Sequence, residues 1–219
     1  MMRISLAVVA VFLSVVGLSQ TRDAGLWMDI SVARELNKRL ELSVSPEIRL
    51  NENCTQWSRL FADVGVDYKL DKHFSLHAAY RGGWGNDGVY IDPRQRWQTG
   101  FSLKHKIKDV SVQWLSRAQY TLVGPLSDSD ADFVTLWRNR ASIKYTGLKK
   151  TDVSTSFEFF NSMHRYQQLK LQNWRWIAQV SRKVSKKQSV VLGYLIQRDY
   201  TKVPNAMDYV LLVSYKVDL

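Results

Sequence analysis

The last stretch of the chain, residues 207–219, alternates apolar and polar side chains with a period of two. The odd-numbered positions form its apolar parity, which consists of Met207, Tyr209, Leu211, Val213, Tyr215, Val217 and Leu219. Val210 and Leu212 are apolar exceptions on the other parity. A period of two is the side-chain repeat of a β-strand. A strand in this position suits a closed barrel, because closure leaves no unpaired edge. We therefore predict a wall strand of a β-barrel, and its alternating apolar end resembles the signal read by barrel-assembly machinery.

Ten segments upstream show the same alternation, and none shows a sustained 3.6-residue period. They are 25–36, 40–50, 57–70, 74–84, 94–107, 110–122, 133–145, 152–163, 174–184 and 189–198. The predicted fold is all-β: a closed, antiparallel, up-and-down transmembrane barrel of about 10–12 strands. Bacterial single-chain barrels have an even number of strands. We therefore expect ten or twelve strands, and whether 25–36 forms a full wall strand is left open.

Short turns and longer polar loops alternate between these segments. The turns lie near positions 38, 72, 107, 149 and 186, and the loops lie at 51–56, 85–93, 123–132, 164–173 and 199–206. This alternation is typical of outer-membrane barrels, which have short periplasmic turns and longer outer loops.

The formal net charge of +11 collects largely at the short turns. The basic residues there are Lys38, Arg39, Lys72, Lys106, Lys108, Lys149, Lys150, Lys186 and Lys187. A basic rim suits outer-membrane lipid with anionic headgroups, and the alternative is a set of solvated turn lysines. No basic stripe interleaves with aromatic residues on one face, so nucleic acid is not an expected partner. The oligomeric state is left open.

The N-terminal residues predict a cleaved secretory signal. Arg3 supplies the positive charge, 4–16 form a short apolar core, and Gly17 and Ser19 are small residues at the cleavage-recognition positions. The predicted organisation is therefore a signal peptide over 1–19 and one barrel domain over 20–219, exported in a Gram-negative cell.

Aromatic side chains concentrate at both ends of the predicted strands. Trp57, Trp84, Trp97, Tyr120, Trp137, Trp174, Trp176 and Tyr209 lie near the loops, and Tyr68, Phe74, Tyr145 and Tyr215 lie near the turns. Two such belts are typical of a membrane barrel. Alternation alone does not distinguish this from a soluble, lipocalin-like periplasmic ligand-binding barrel with its apolar parity inward. The belts and the strand lengths favour the outer membrane.

On the membrane interpretation, the polar parity lines the lumen with more arginines than acids. The predicted lumen cluster is Asp29, Glu47, Arg49, Asp63, Arg81, Arg96, Arg117, Arg138, Arg140, Glu158 and Arg175. Buried charges usually pair, so one hypothesis is a structural network that fills the barrel. The other hypothesis is a narrow anion-favouring passage.

No sequence motif predicts a catalytic residue, a metal site or a cofactor. Ser162 and His164 share a parity, and Glu158 lies on the same segment, but no flanking pattern supports a triad. An outer-membrane lipid hydrolase or acyltransferase that uses Ser162 and His164 is the alternative function. His73 and His77 share one face of their segment, and no accompanying carboxylate or thiolate is predicted to complete a metal site with them.

Four sequence stretches carry a resemblance to a known family. They are Gly25-Leu26-Trp27, the segment 40–53, the segment 63–70 (Asp-Val-Gly-Val-Asp-Tyr-Lys-Leu) and Tyr80-Arg81. The chain resembles a family of uncharacterised Bacteroidota outer-membrane barrel proteins that is filed under a domain of unknown function. The resemblance implies the location and the fold, and it brings no assigned activity or catalytic residues.

Overall fold

The protein is all-β, with eleven strands in the computed structural model. The structure describes residues 23–124, 132–163, 169–201 and 206–219. The strands are β1 (Asp23–Glu35), β2 (Leu40–Asn51), β3 (Gln56–Lys69), β4 (Phe74–Asn86), β5 (Ile91–Ile107), β6 (Val110–Val123), β7 (Asp132–Leu148), β8 (Thr151–Ser162), β9 (Lys170–Lys183), β10 (Gln188–Asp199) and β11 (Ala206–Asp218). Over these ranges there is no helix long and apolar enough to cross a membrane.

The strands close into one barrel in chain order, which confirms the predicted all-β closed barrel. Consecutive strands pair antiparallel, whereas β1 and β11 pair parallel, with Leu26 opposite Leu211. Eleven strands lie within the predicted range of 10–12, but our expectation of an even number is wrong. An odd number of up-and-down strands makes the first and the last run in the same direction, so the seam has to be parallel. The segment 25–36 belongs to β1, a full wall strand that also pairs with β2.

The apolar parity of the strands faces outward. Large apolar side chains on this face keep much of their surface exposed, for example Leu60 at 44% and Val64 at 49%. Inward-facing polar side chains such as Arg138 and Glu158 are buried. The barrel is thus inverted relative to a soluble barrel, in which the apolar side chains fill the interior.

The two apolar exceptions in β11 have a structural explanation. Val210 and Leu212 point into the lumen, where Val210 lies opposite Leu195 of β10. Val191 also points inward, and Val191, Leu195 and Val210 are buried. The β10–β11 side of the lumen is therefore an aliphatic wall, while most other strands point charged or polar residues inward.

Aromatic rings contact one another around part of the outer surface. Tyr80 of β4 lies 5.5 Å from Trp97, which lies 5.9 Å from Tyr120, which in turn lies 5.6 Å from Phe133 (ring centroids). Near the turns, Phe74 and Phe101 stack at 5.7 Å. Ring pairs at these separations add to the burial energy of each residue.

Side chains brace the short turns at the strand ends. Asp71 Oδ1 accepts hydrogen bonds from the backbone N–H groups of His73 (2.6 Å) and Phe74 (2.9 Å). Asn37 Oδ1 accepts the corresponding bonds from Arg39 and Leu40. Such Asx turns satisfy donors that have no strand partner.

Candidate functional site

A cavity of about 740 Å³ occupies the loop half of the lumen. It reaches the mouth at the long loops, because Glu52, Gln56 and Asp87 are among its lining residues. The predicted lumen residues that line it are Asp29, Glu47, Arg49, Asp63, Arg81, Arg96, Arg117, Arg138, Arg140 and Arg175. Glu158, the remaining one, is not on this surface, because it is enclosed by arginines with only 2% of its side chain exposed.

One group of charges, the carboxylate cluster, lies on β1 to β4 and comprises Asp29, Glu47, Asp63, Arg49 and Arg81. Arg49 Nε donates to Glu47 Oε1 at 2.6 Å. Arg81 Nε donates to Asp63 Oδ1 at 2.7 Å, and its Nη2 also contacts Asp63 and lies 3.8 Å from Glu47 Oε2. Asp29 accepts a hydrogen bond from the hydroxyl of Ser214 at 2.7 Å. Two carboxylates, Glu47 and Asp63, thus pair with the two guanidiniums, while Asp29 is held by Ser214.

Aromatic rings hold both of these arginines. The guanidinium carbon of Arg49 lies 3.6 Å from the ring centre of Trp27, and that of Arg81 lies 3.5 Å from the ring centre of Phe61. A planar cation over a ring face is attracted by the ring quadrupole. These contacts fix the direction in which the guanidinium groups point.

A second group, the Glu158 cluster, lies on β6 to β9 and comprises Glu158, Arg117, Arg138 and Arg175. Glu158 Oε1 accepts from Arg117 Nη2 at 2.9 Å and from Arg138 Nη2 at 3.0 Å. Arg175 Nη1 lies 3.9 Å from Glu158 Oε2. One carboxylate therefore serves three guanidiniums, whereas in the carboxylate cluster each guanidinium has a carboxylate of its own.

Glutamines supply acceptors that the single carboxylate cannot. Arg138 Nη1 donates to Gln119 Oε1 at 2.8 Å. Arg175 donates to Gln197 Oε1 from Nη2 at 2.7 Å and from Nε at 3.1 Å. Neither glutamine is in the predicted lumen cluster, which comprises charged residues, although each shares the inward parity of its strand.

Arg175 also narrows the lumen. It originates on β9, yet its guanidinium carbon lies 5.0 Å from the ring centre of Trp27 on β1. Since β10 and β11 separate these strands in the wall, the side chain spans the front of the aliphatic wall. Arg49 stacks on the same Trp27 ring, so the two clusters meet at this residue.

Three arginines that line the cavity, Arg59, Arg96 and Arg140, have no ion pair within 4.0 Å among the described residues. Arg96 donates to the hydroxyl of Thr121 at 3.3 Å. The Nε atoms of Arg140 and Arg117 are buried and lack an acceptor in the described part of the chain. A buried donor without an acceptor is costly, so these groups are available for an anionic ligand. Arg59 was not in the predicted cluster.

The deep part of the lumen therefore carries a surplus of positive charge. Its arginines are Arg49, Arg59, Arg81, Arg96, Arg117, Arg138, Arg140 and Arg175, eight in all, against the four carboxylates Asp29, Glu47, Asp63 and Glu158. The mouth is different, because Glu52, Asp87, Asp199 and Asp208 line the cavity there and Asp87 pairs with Arg94 at 3.1 Å. The charge of the lining residues thus changes from mainly negative at the mouth to mainly positive in the interior.

The predicted Ser162–His164 pair cannot be placed as a site, because His164 lies outside the described residues. The hydroxyl of Ser162 donates to the carbonyl oxygen of Lys170 at 3.3 Å. Glu158, the proposed acid, is held in its arginine cluster. No group of three or more potential metal ligands occurs within the ranges that the structure describes.

The fold and the lumen define a class: a closed β-barrel with an apolar outer surface and a charged interior. Residues 24–208 match the family model described as "Protein of unknown function (DUF2490)", and the chain belongs to that family. A search of curated proteins finds no match to this chain.

Proposed function

We propose that this protein is an outer-membrane β-barrel of a Gram-negative bacterium of the Bacteroidota, exported by its signal peptide, whose lumen is a narrow anion-favouring passage. The observation that carries the proposal is that the deep part of the lumen holds eight arginines and only four carboxylates.

The outer surface supports the membrane location. Exposed apolar residues cover the outward parity, including Leu42, Leu76, Val112, Ile143, Leu192 and Leu211. A water-soluble monomer rarely exposes an apolar surface that extends around the molecule. The shortest strands have 12 residues, which exceeds the 9–11 needed for a tilted strand to span a bilayer. The basic turns would meet anionic headgroups at one rim.

The unpaired guanidiniums support the anion preference. Arg96 lines the same cavity as Arg81, Arg49 and Arg59 and has no ion pair within 4.0 Å among the described residues, so a counter-ion there would be favourable. Phosphate, sulfate or carboxylate ions in the cavity would pair with these guanidiniums, and they would also give the Nε groups of Arg117 and Arg140 an acceptor. The cavity volume of about 740 Å³ lies within the range of small-molecule sites.

The narrowing at Arg175 and Trp27 limits the size of the solute. Arg175 is held on both sides, by Gln197 and by the ring of Trp27, so it is a fixed constriction and not a free side chain. Rings of fixed arginines select anions by charge at such points. The mouth carboxylates oppose anion entry, so selection acts inside the barrel and not at its rim.

Reversal potentials in planar bilayers under a KCl gradient test the passage. We expect a small conductance with anion preference in the native protein. The triple variant Arg59→Gln, Arg96→Gln, Arg140→Gln should lose that preference. The matched control Lys72→Gln, Lys149→Gln, Lys186→Gln removes the same charge from the turns and should keep it. Absence of conductance, or the same selectivity in both triple variants, would contradict the passage.

Cell fractionation tests the location separately. We expect the protein in the outer-membrane fraction, with heat-modifiable migration in gels. Recovery in the soluble periplasmic fraction would overturn the membrane assignment and favour a soluble ligand-binding barrel.

A further inference from the structure

Three inward-facing residues below the arginine cavity form a chain of hydrogen bonds. Asp67 of β3 lies opposite His77 of β4, and His77 lies opposite Gly100 of β5, two residues from Ser102. His77 Nδ1 contacts Asp67 Oδ1, and His77 Nε2 lies 2.9 Å from the hydroxyl oxygen of Ser102.

The carboxylate determines which nitrogen of His77 carries the proton. An ionised Asp67 can only accept, so the neutral imidazole places its N–H at Nδ1 and leaves Nε2 as an acceptor. The hydroxyl of Ser102 then donates to Nε2. This is the order of nucleophile, general base and orienting acid that activates a serine, and such triads are recognised by geometry and not by sequence position.

From this geometry we propose that Ser102, His77 and Asp67 form a serine-nucleophile site that hydrolyses carboxylic esters with a slim acyl chain. It is independent of the anion passage, because none of the three residues lines the arginine cavity. Asp67 has His77 as its ion-pair partner and does not belong to either arginine cluster.

The surroundings define the substrate class. Ser102 is buried with 3% of its surface exposed, whereas the side chains of His77 and Asp67 keep 24% and 32% exposed. A substrate must therefore approach across the imidazole, which favours a narrow molecule. Gly100, opposite His77, has no side chain, and the space beside its Cα is filled by Arg117 of β6. Leu115 of β6 lies opposite Ser102 and is buried, so it offers an apolar contact for an acyl chain.

The reaction requires only the ester and water. Ser102 Oγ forms a bond to the carbonyl carbon while its proton passes to His77 Nε2. The bond between that carbon and the alcohol oxygen then breaks, and the alcohol leaves with the proton from His77. Water next attacks the acyl-serine, gives its proton to His77 and releases the carboxylic acid, and Ser102 recovers its proton. Asp67 stabilises the imidazolium that forms in both steps.

A fluorophosphonate probe and p-nitrophenyl butyrate test the site in the folded, full-length protein in detergent. We expect mass spectrometry to find the probe on Ser102, and ester hydrolysis to fall to background in Ser102→Ala and His77→Gln. Asp67→Asn should lower the rate by roughly 10⁴-fold, because the imidazole loses its orienting acceptor.

The matched control is Ser75→Ala. Ser75 lies opposite Ser102 at the same level of the lumen, so it should keep both labelling and hydrolysis. Labelling elsewhere, or hydrolysis that persists in Ser102→Ala, would overturn the proposal. If Ser102→Ala does not fold, Ser102→Cys replaces it: iodoacetamide should alkylate this thiol faster with His77 present than in the His77→Gln background. Equal alkylation rates would also overturn the proposal. Neither outcome bears on the anion passage, which the conductance of the native barrel tests separately.

Discussion

The carboxylate cluster and the Glu158 cluster use the same residue types in different proportions. In the first, Glu47 and Asp63 pair with Arg49 and Arg81, and each guanidinium also stacks on an aromatic ring. In the second, Glu158 alone is shared by three arginines. Arg81 in the first cluster therefore keeps a nearby carboxylate, Glu47, if Asp63 is lost. The three arginines of the second cluster have no second carboxylate within 4.0 Å among the described residues, so the stability of that side of the lumen depends on a single residue.

The largest expected effect is that of Glu158→Gln. It leaves the buried Arg138 and the half-buried Arg117 and Arg175 without their shared counter-charge, and breaking a buried pair in this way costs about 3–5 kcal/mol. We expect a lower urea midpoint in detergent, followed by the loss of heat-modifiable migration. A midpoint within error of the native protein would contradict the central role of Glu158.

Asp63→Asn should cost less, about 1–3 kcal/mol, because Arg81 loses one charged acceptor but retains Glu47 nearby. The same urea titration measures it. If Asp63→Asn were as costly as Glu158→Gln, the supposed redundancy of the carboxylate cluster would be wrong.

Arg140→Gln should change the free energy of unfolding by about 1 kcal/mol or less, and in either direction, because Arg140 has no ion pair among the described residues and lacks an acceptor for its Nε. The measurement is again the urea midpoint, paired with the reversal potential. A loss as large as that of Glu158→Gln would show that Arg140 has a structural role.

We expect the smallest change in stability from Asp71→Asn at the β3–β4 turn. Because Asp71 is exposed, it serves as a reference for the buried carboxylates. Backbone N–H groups of His73 and Phe74 lower the pKa of Asp71 below its ordinary value. Because the folded-state pKa is lowered, its contribution is present above the unfolded pKa and is lost as the pH falls through the folded one. Unfolding titrations at neutral and acidic pH should therefore show a slightly flatter acid dependence in Asp71→Asn. An unchanged pH dependence of unfolding in Asp71→Asn would show that Asp71 makes no such contribution.

The strand pattern was largely predictable because the period-two alternation is a local property. The number of strands was not, because the even-number expectation describes other barrels, whereas the parallel seam of β1 and β11 joins residues about as far apart in the chain as the fold allows. The apolar exceptions Val210 and Leu212 likewise needed the register of β10, which showed that they extend an aliphatic wall inside the lumen.

The pairings inside the lumen were only partly predictable. The turn around Lys72 implies that Asp67 faces His77, so this contact was available from hairpin geometry. The contact between His77 and Ser102 was not available in this way, because the position of Ser102 depends on the register of β5 after the longer β4–β5 connection. The same limit applies to Glu158, whose partners on β6 and β9 lie on separate hairpins.

The parallel seam also determines where attached sequences would emerge. β1 starts beside the β2–β3 loop, where Cys54 Sγ lies 3.5 Å from the carbonyl oxygen of Ala24, and it ends at the short turns. β11 runs the same way and ends there too. A peptide tag joined ahead of Asp23 and another joined after Leu219 would thus project from opposite faces of the barrel. In the proposed outer-membrane orientation, an antibody added to intact cells would reach the first tag, while the second would face the periplasm.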